Sequence, residues 1–126
     1  MFRGLEHLAI ASPDPEKLAQ WYVEHLGFTI NYCSPTSKTT FVKAPNGSMF
    51  EIILSQGERP AQTMKTPGLR HLAIAVDDFD SAYAALRNKG VQFVTEPETS
   101  KGNRVVFFTD PEGNLLHLIQ RASPLP

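Results

Sequence analysis

The sequence predicts an α+β protein made of tandem βαβββ repeats that form a cupped mixed sheet. Three observations predict it. A short strand-like segment occurs twice, each copy leads into a capped amphipathic helix, and each copy closes with two alternating segments joined by a Pro-x-Gly turn.

The repeat is plain at the residue level. Gly4-Leu5-Glu6-His7-Leu8-Ala9-Ile10-Ala11 and Gly68-Leu69-Arg70-His71-Leu72-Ala73-Ile74-Ala75 agree at seven of eight positions, and His7 maps to His71. Glu6 against Arg70 is the single mismatch. The stretch from Phe41 to Ile53 likewise overlies the stretch from Phe107 to Ile119, so that Glu51 maps to His117. Repeat one covers residues 4–54 and repeat two residues 68–121, within a single domain of residues 1–126. Residues 55–67 are polar, hold Gly57, Pro60 and Pro67, and read as the connector.

The elements follow in the same order in both copies. Residues 5–11 and 69–76 alternate and predict strands. Asp14 is placed to cap a helix with Pro15 at its first position, and Asp78 to cap the second. Leu18, Trp21, Tyr22 and Leu26 fall at helical spacing, as do Phe79, Ala82 and Leu86. Gly27 and Gly90 supply left-handed stops. Short strands are predicted at 28–33 and 91–95. Paired strands follow at 39–43 with 49–54, and at 104–109 with 115–120.

Bulk properties narrow the function classes. The formal net charge is -1 with scattered basic residues, which leaves no electrostatic footprint for nucleic acid. No apolar run is long enough for a signal peptide core or a membrane span. A single cysteine, Cys33, excludes an internal disulfide and fits a reducing compartment, so a cytoplasmic location is expected. Neither a Gly-rich phosphate loop nor a nucleophile elbow is present.

Alternation then assigns faces. With Leu8 and Ile10 under the helix, His7, Ala9 and Ala11 point the other way, as do His71, Ala73 and Ala75. On the last strand of each repeat, Phe50, Ile52 and Leu54 take the helix side. Met49, Glu51 and Ile53 are left opposite, and the same count leaves Leu115, His117 and Ile119 there. His7, Glu51, His71 and His117 therefore occupy matched positions on otherwise apolar faces. A glutamate paired with a histidine in a metal-free polar cluster would satisfy a buried carboxylate. One ion pair, however, needs two residues rather than four in matched places, which favours a divalent metal site. Imidazoles with one carboxylate suit Ni, Zn, Co, Fe or Mn better than Mg or Ca. Four protein ligands would close tetrahedral zinc, whereas a six-coordinate ion keeps two positions for neighbouring substrate oxygens.

These residues resemble the vicinal oxygen chelate superfamily, which includes glyoxalase I, methylmalonyl-CoA epimerase, extradiol dioxygenases, and fosfomycin- and bleomycin-resistance proteins. The likeness rests on the paired units, each opening on a histidine. It rests also on Phe108-Thr109-Asp110-Pro111-Glu112-Gly113-Asn114 before the last strand, and it spans residues 4–121. The resemblance implies metal ligands at His7, Glu51, His71 and His117. His117 departs from the pattern, because a glutamate is usual there and also serves glyoxalase-like relatives as a base. It implies a metal-dependent lyase or isomerase of glyoxalase type, acting on a small α-hydroxycarbonyl or its thiol adduct, with Glu51 and His117 as the proton-transferring groups. The alternatives are an extradiol-type dioxygenase and a metal-free drug-binding protein, the latter motivated by Trp21, Tyr22, Tyr32, Phe41 and Phe107, although the helical spacing of Trp21 and Tyr22 assigns those two to the core. A small-molecule substrate and a homodimer are expected, with the repeats pairing within one chain or swapping between two.

Secondary expectations complete the reading. Pairing Phe108 with Leu115 would turn Arg104 toward the ligand face, opposite Ile119, where it would either hold an anionic substrate or, the favoured alternative, stand as a solvated strand-end arginine. His25 near its helix end complements the C-terminal dipole. Cys33 is expected to be a half-buried strand residue.

Overall fold

A computed structural model describes all residues, Met1–Pro126. The chain divides into two compact units, Met1–Arg59 and Pro60–Pro126, and the boundary falls inside the predicted connector. Each unit carries one helix and its own mixed sheet, in keeping with the α+β expectation.

In the first unit, β1 (Leu8–Ser12), α1 (Pro15–Leu26), β2 (Thr29–Cys33), β3 (Thr40–Lys43) and β4 (Met49–Leu54) form a sheet of order β1-β4-β3-β2. β1 runs parallel to β4, and the other neighbours are antiparallel. Asp14 caps α1 by accepting the Lys17 N–H at 3.2 Å. Gly27 then ends the helix at φ 71°, in the left-handed region where a side chain is disfavoured. The buried face of α1, with Leu18, Ala19 and Tyr22, covers Val42, Phe50 and Ile52 of the sheet. Tyr22, Phe28 and Phe50 form the aromatic centre of that core, with Tyr22 edge-on to Phe50 at 5.6 Å between centroids.

The second unit repeats the plan with β5 (Leu72–Ala75), α2 (Phe79–Asn88), β6 (Gln92–Phe93), β7 (Glu98–Ser100), β8 (Asn103–Thr109) and β9 (Leu115–Gln120). β5 runs parallel to β9, and β8 lies antiparallel to β9, β6 and β7. Phe79, Leu86, Val106, Phe108, Leu116 and Leu118 are buried as its core. The Asp78 carboxylate caps α2 by accepting from the Ser81 N–H and Oγ, as predicted.

Several details differ from the sequence expectation. The first strand of each unit starts at Leu8 and Leu72 rather than residues 5 and 69. Its parallel partner offers hydrogen bonds only from Phe50 and Leu116 onward, and Leu5 and Leu69 lie exposed. β7 was unpredicted. It is a short polar edge strand held by a hairpin whose two turn residues, Lys101 and Gly102, both have positive φ (53° and 79°), the geometry a two-residue turn demands. Cys33 is exposed rather than half-buried, at the end of the edge strand β2. Leu54, the last residue of β4, is also exposed rather than packed on the helix side.

The most consequential difference is the β8–β9 register. Thr109 pairs with Leu115 and Phe108 with Leu116, so Arg104 lies opposite Gln120 rather than Ile119. A slip of one residue exchanges the faces of a strand. Arg104 therefore sits on the helix side, where Nη1 donates to Asp80 Oδ1 at 2.7 Å and the guanidinium lies 4.4 Å from the Phe79 ring centre. Its expected place on the ligand face does not hold. The register is set by the intervening turn. The buried carboxylate of Asp110 accepts from the backbone N–H of Glu112 and Asn114 and from Asn114 Nδ2, at 2.7–3.0 Å.

Candidate functional site

The parallel pairing inside each unit brings the predicted ligands together two by two. In the first unit Glu51 lies between Ala9 of β1 and Phe41 of β3. His7, just ahead of β1, reaches over the same face, with its Nε2 3.7 Å from Glu51 Oε1. Its ring stands edge-on to Phe41, with centroids 5.3 Å apart. The methyl group of Ala9 leaves both side chains accessible, at 34% exposure for His7 and 28% for Glu51.

The second unit reproduces this frame. His117 lies between Ala73 of β5 and Phe107 of β8. The His71 ring meets that of His117 at 4.4 Å between centroids and stands edge-on to Phe107 at 5.4 Å. Phe107 and Phe41 are thus matched aromatic supports for matched pairs. Phe107 faces the ligand side because Phe108 faces the core, which the register correction also explains. Neither unit by itself gathers three or more His, Cys, Asp or Glu side chains into a metal-ligand cluster.

The pairs differ in charge. His7 Nδ1 contacts Glu6 Oε1 at 2.5 Å. A carboxylate only accepts, so Nδ1 carries the proton, and in the neutral ring Nε2 keeps its lone pair. The Glu6 hydrogen bond, aided by the charge of Glu51, raises the His7 pKa above its ordinary value despite some desolvation. At His71 the polarity reverses. Arg70 Nη1 lies 2.9 Å from His71 Nδ1, and a guanidinium only donates, so Nδ1 accepts and Nε2 of the neutral ring carries the hydrogen. Desolvation, followed by the charge of Arg70, lowers the His71 pKa.

His117 is pushed down to about 4, first by desolvation and then by the charges of His71, Arg70 and Arg121. Its Nδ1 is buried without a hydrogen-bond partner. Linkage fixes the sign of the consequence for stability. Between pH 6.5 and about 4 the unfolded imidazole binds a proton that the folded one refuses, so stability falls as pH drops through that window. Urea unfolding of metal-free protein should show the wild type losing ground to His117→Gln across this interval. A constant difference between the two would count against the assignment.

Other sequence-nominated residues lie elsewhere. Tyr22 is buried in the first core. Trp21 stacks on His25 at 4.7 Å, while His25 Nδ1 lies 3.0 Å from the Trp21 carbonyl oxygen in the last turn of α1. Neither Trp21 nor Tyr22 belongs to the ligand face, whereas Tyr32 meets Phe41 edge-on at 6.0 Å. Arg104 is engaged with α2. The residues that sequence reasoning passed over are Glu6 and Arg70, although the lone mismatch in the repeated octapeptide marked them.

Comparison with known proteins agrees with this frame. The Glyoxalase/Bleomycin resistance protein/Dioxygenase superfamily matches residues 4–118. A probable lactoylglutathione lyase of Synechocystis sp. is 30% identical, over 94% of this chain and 96% of its own. The mitochondrial methylmalonyl-CoA epimerase of Homo sapiens is 31% identical, over 92% of this chain and 73% of its own. Among solved structures, a glyoxalase family protein from Enterococcus faecalis aligns with a TM-score of 0.74 at 27% identity, over 94% of this chain and 98% of that one. The duplicated units, the matched side-chain pairs and the match over nearly the whole length lead to one conclusion: the chain belongs to the Glyoxalase/Bleomycin resistance protein/Dioxygenase superfamily.

Proposed function

We propose that the protein is a metal-dependent lyase or isomerase of glyoxalase type, acting on a small α-hydroxycarbonyl compound or its thiol adduct. The observation that carries this reading is the matched placement of His7 with Glu51 and of His71 with His117, each first histidine just ahead of a strand that neighbours its partner's strand, and each pair against an equivalent phenylalanine. All four side chains are proposed as ligands for a divalent transition metal, Ni, Zn, Co, Fe or Mn.

The donor chemistry fits such an ion. His7 keeps an Nε2 lone pair beside the Glu51 carboxylate. His71 and His117 are both biased toward the neutral form; His71 serves as a ligand in the tautomer with a free ring nitrogen, which requires the Arg70 hydrogen bond at Nδ1 to be released. The orphaned Nδ1 of His117 is a buried polar atom that lacks the partner such groups normally have. When bound, a divalent ion supplies Lewis-acid stabilisation of negative charge developing on a carbonyl oxygen.

The chain's own groups handle the proton. Glu51 is accessible and acidic, placed to accept a hydrogen from the carbon next to a carbonyl. His117 is neutral at physiological pH and is the second group able to take or return that proton. Phe41 and Phe107 supply apolar walls that limit water around the pairs. A homodimer fits the same reading, because Tyr32, Ile53 and Leu54 of the first sheet are exposed at 51%, 37% and 54%.

Elemental analysis of purified protein tests the proposal, together with metal-dependent turnover of α-hydroxycarbonyl compounds and their thiol adducts. About one metal per chain is expected, and His117→Glu should still bind it, since carboxylate replaces imidazole as a donor. Protein that binds no divalent metal, or turnover indifferent to its removal, would overturn the reading. Oxygen uptake with a catechol after anaerobic Fe(II) loading would redirect it to a dioxygenase.

A further inference from the structure

The two pairs are alike in position and opposite in charge. His7 has carboxylates on both sides, Glu6 at Nδ1 and Glu51 near Nε2. In the second unit both carboxylates are gone, because Glu6 corresponds to Arg70 and Glu51 to His117. The surroundings of His71 and His117 are cationic instead, with Arg70 beside one ring and the charges of Arg70 and Arg121 acting on the other.

Arg70 is held entirely by neutral groups. Nε donates to the Met64 carbonyl, Nη1 donates to His71 Nδ1, and the guanidinium lies 5.3 Å from the centre of the Phe107 ring. It forms no salt bridge, in contrast to Arg104, whose charge is met by Asp80. The guanidinium is therefore fixed in direction, exposed and uncompensated. Five N–H donors in a planar fork suit an oxyanion, and those not spent on Met64 and His71 stay free.

We propose that the His71–His117 face of the second unit is an oxyanion site, in which Arg70 supplies the charge and the ligand is the carboxylate or phosphate group of a small substrate. The assignment deepens the function proposed above by giving the substrate a negative charge. It rests on that reading only in calling the ligand a substrate, because anion binding is measurable without metal. Arg70 stands one residue from a proposed metal ligand, so the charged group would lie close to the oxygens that chelate.

The test uses the full chain, stripped of metal and dialysed free of chelator, at pH 8. Acetate, inorganic phosphate and neutral acetamide are titrated while the ring nitrogens of His71 and His117 are followed by NMR. Saturable shifts are expected with acetate or phosphate and none with acetamide. The anion that saturates at lower concentration identifies the group. Arg70→Met should weaken binding about tenfold or more, as loss of a charge-assisted hydrogen bond implies, and Arg70→Lys should fall between the two. Absence of a response to either anion, or an Arg70→Met titration matching the wild type, would overturn the proposal. Failure to find metal or turnover would leave these titrations standing, so the two readings fail separately.

Discussion

Phe108→Ala should destabilise the folded chain by about 3–5 kcal/mol, the range for deleting a fully buried aromatic ring without collapse of the space it leaves. Phe108 has no exposure, meets Phe93 at 6.2 Å between ring centres, and lies opposite Leu116 in the centre of the second core. Its neighbour Phe107 points to the other face, against His71 and His117, and is only partly buried. Phe107→Ala should cost less than half as much while altering the histidine environment. Equilibrium urea unfolding measures both. Equal losses from the two substitutions would mean that the β8–β9 register is wrong, since that register is what separates a core ring from a site ring.

The second large effect is expected at Glu51. Glutamine at that position keeps the size and removes the only carboxylate among the four proposed ligands. Even partners that touch a ligand indirectly are worth about 10- to 100-fold in metal affinity, so loss of this group should cost at least about 100-fold. Competition against a chromophoric chelator gives the affinity, and turnover at saturating metal gives the separate contribution of proton transfer. Glu51 is partly exposed and its neighbours Phe50 and Ile52 carry the packing, so stability should change little. Unaltered affinity with lost turnover would make Glu51 a base only.

Much of this was legible in the residues, and the reasons are local. Alternation around Ala9 and Ala73 assigned the faces of the first strands, and the Asp14–Pro15 and Gly27 signals bounded the first helix as found. The same count put all four residues on the faces turned away from the helices. The neighbourhood of first and last strands that brings His7 to Glu51 and His71 to His117 is a matter of strand order, which alternation does not give. Strand ends were harder, because alternation at Leu5 and Leu69 continues past the point where a partner strand exists. The place of Arg104 was missed because an intervening turn sets register, and the Asp110 network that fixes this one is a three-dimensional arrangement. Glu6 and Arg70 fell inside the predicted strands with no role assigned, and only the folded arrangement sets each against its histidine Nδ1.

The members of each pair lie on or just ahead of strands that are neighbours in the sheet but come from opposite ends of their repeat. An unfolded chain holds no remnant of either pair, because bringing such distant residues together costs loop-closure entropy that only the finished ladder repays. Any ion or anion bound there sees the native state alone. Its occupancy is then thermodynamically linked to folding, and the thermal midpoint should climb with the logarithm of free ligand concentration once that exceeds the dissociation constant.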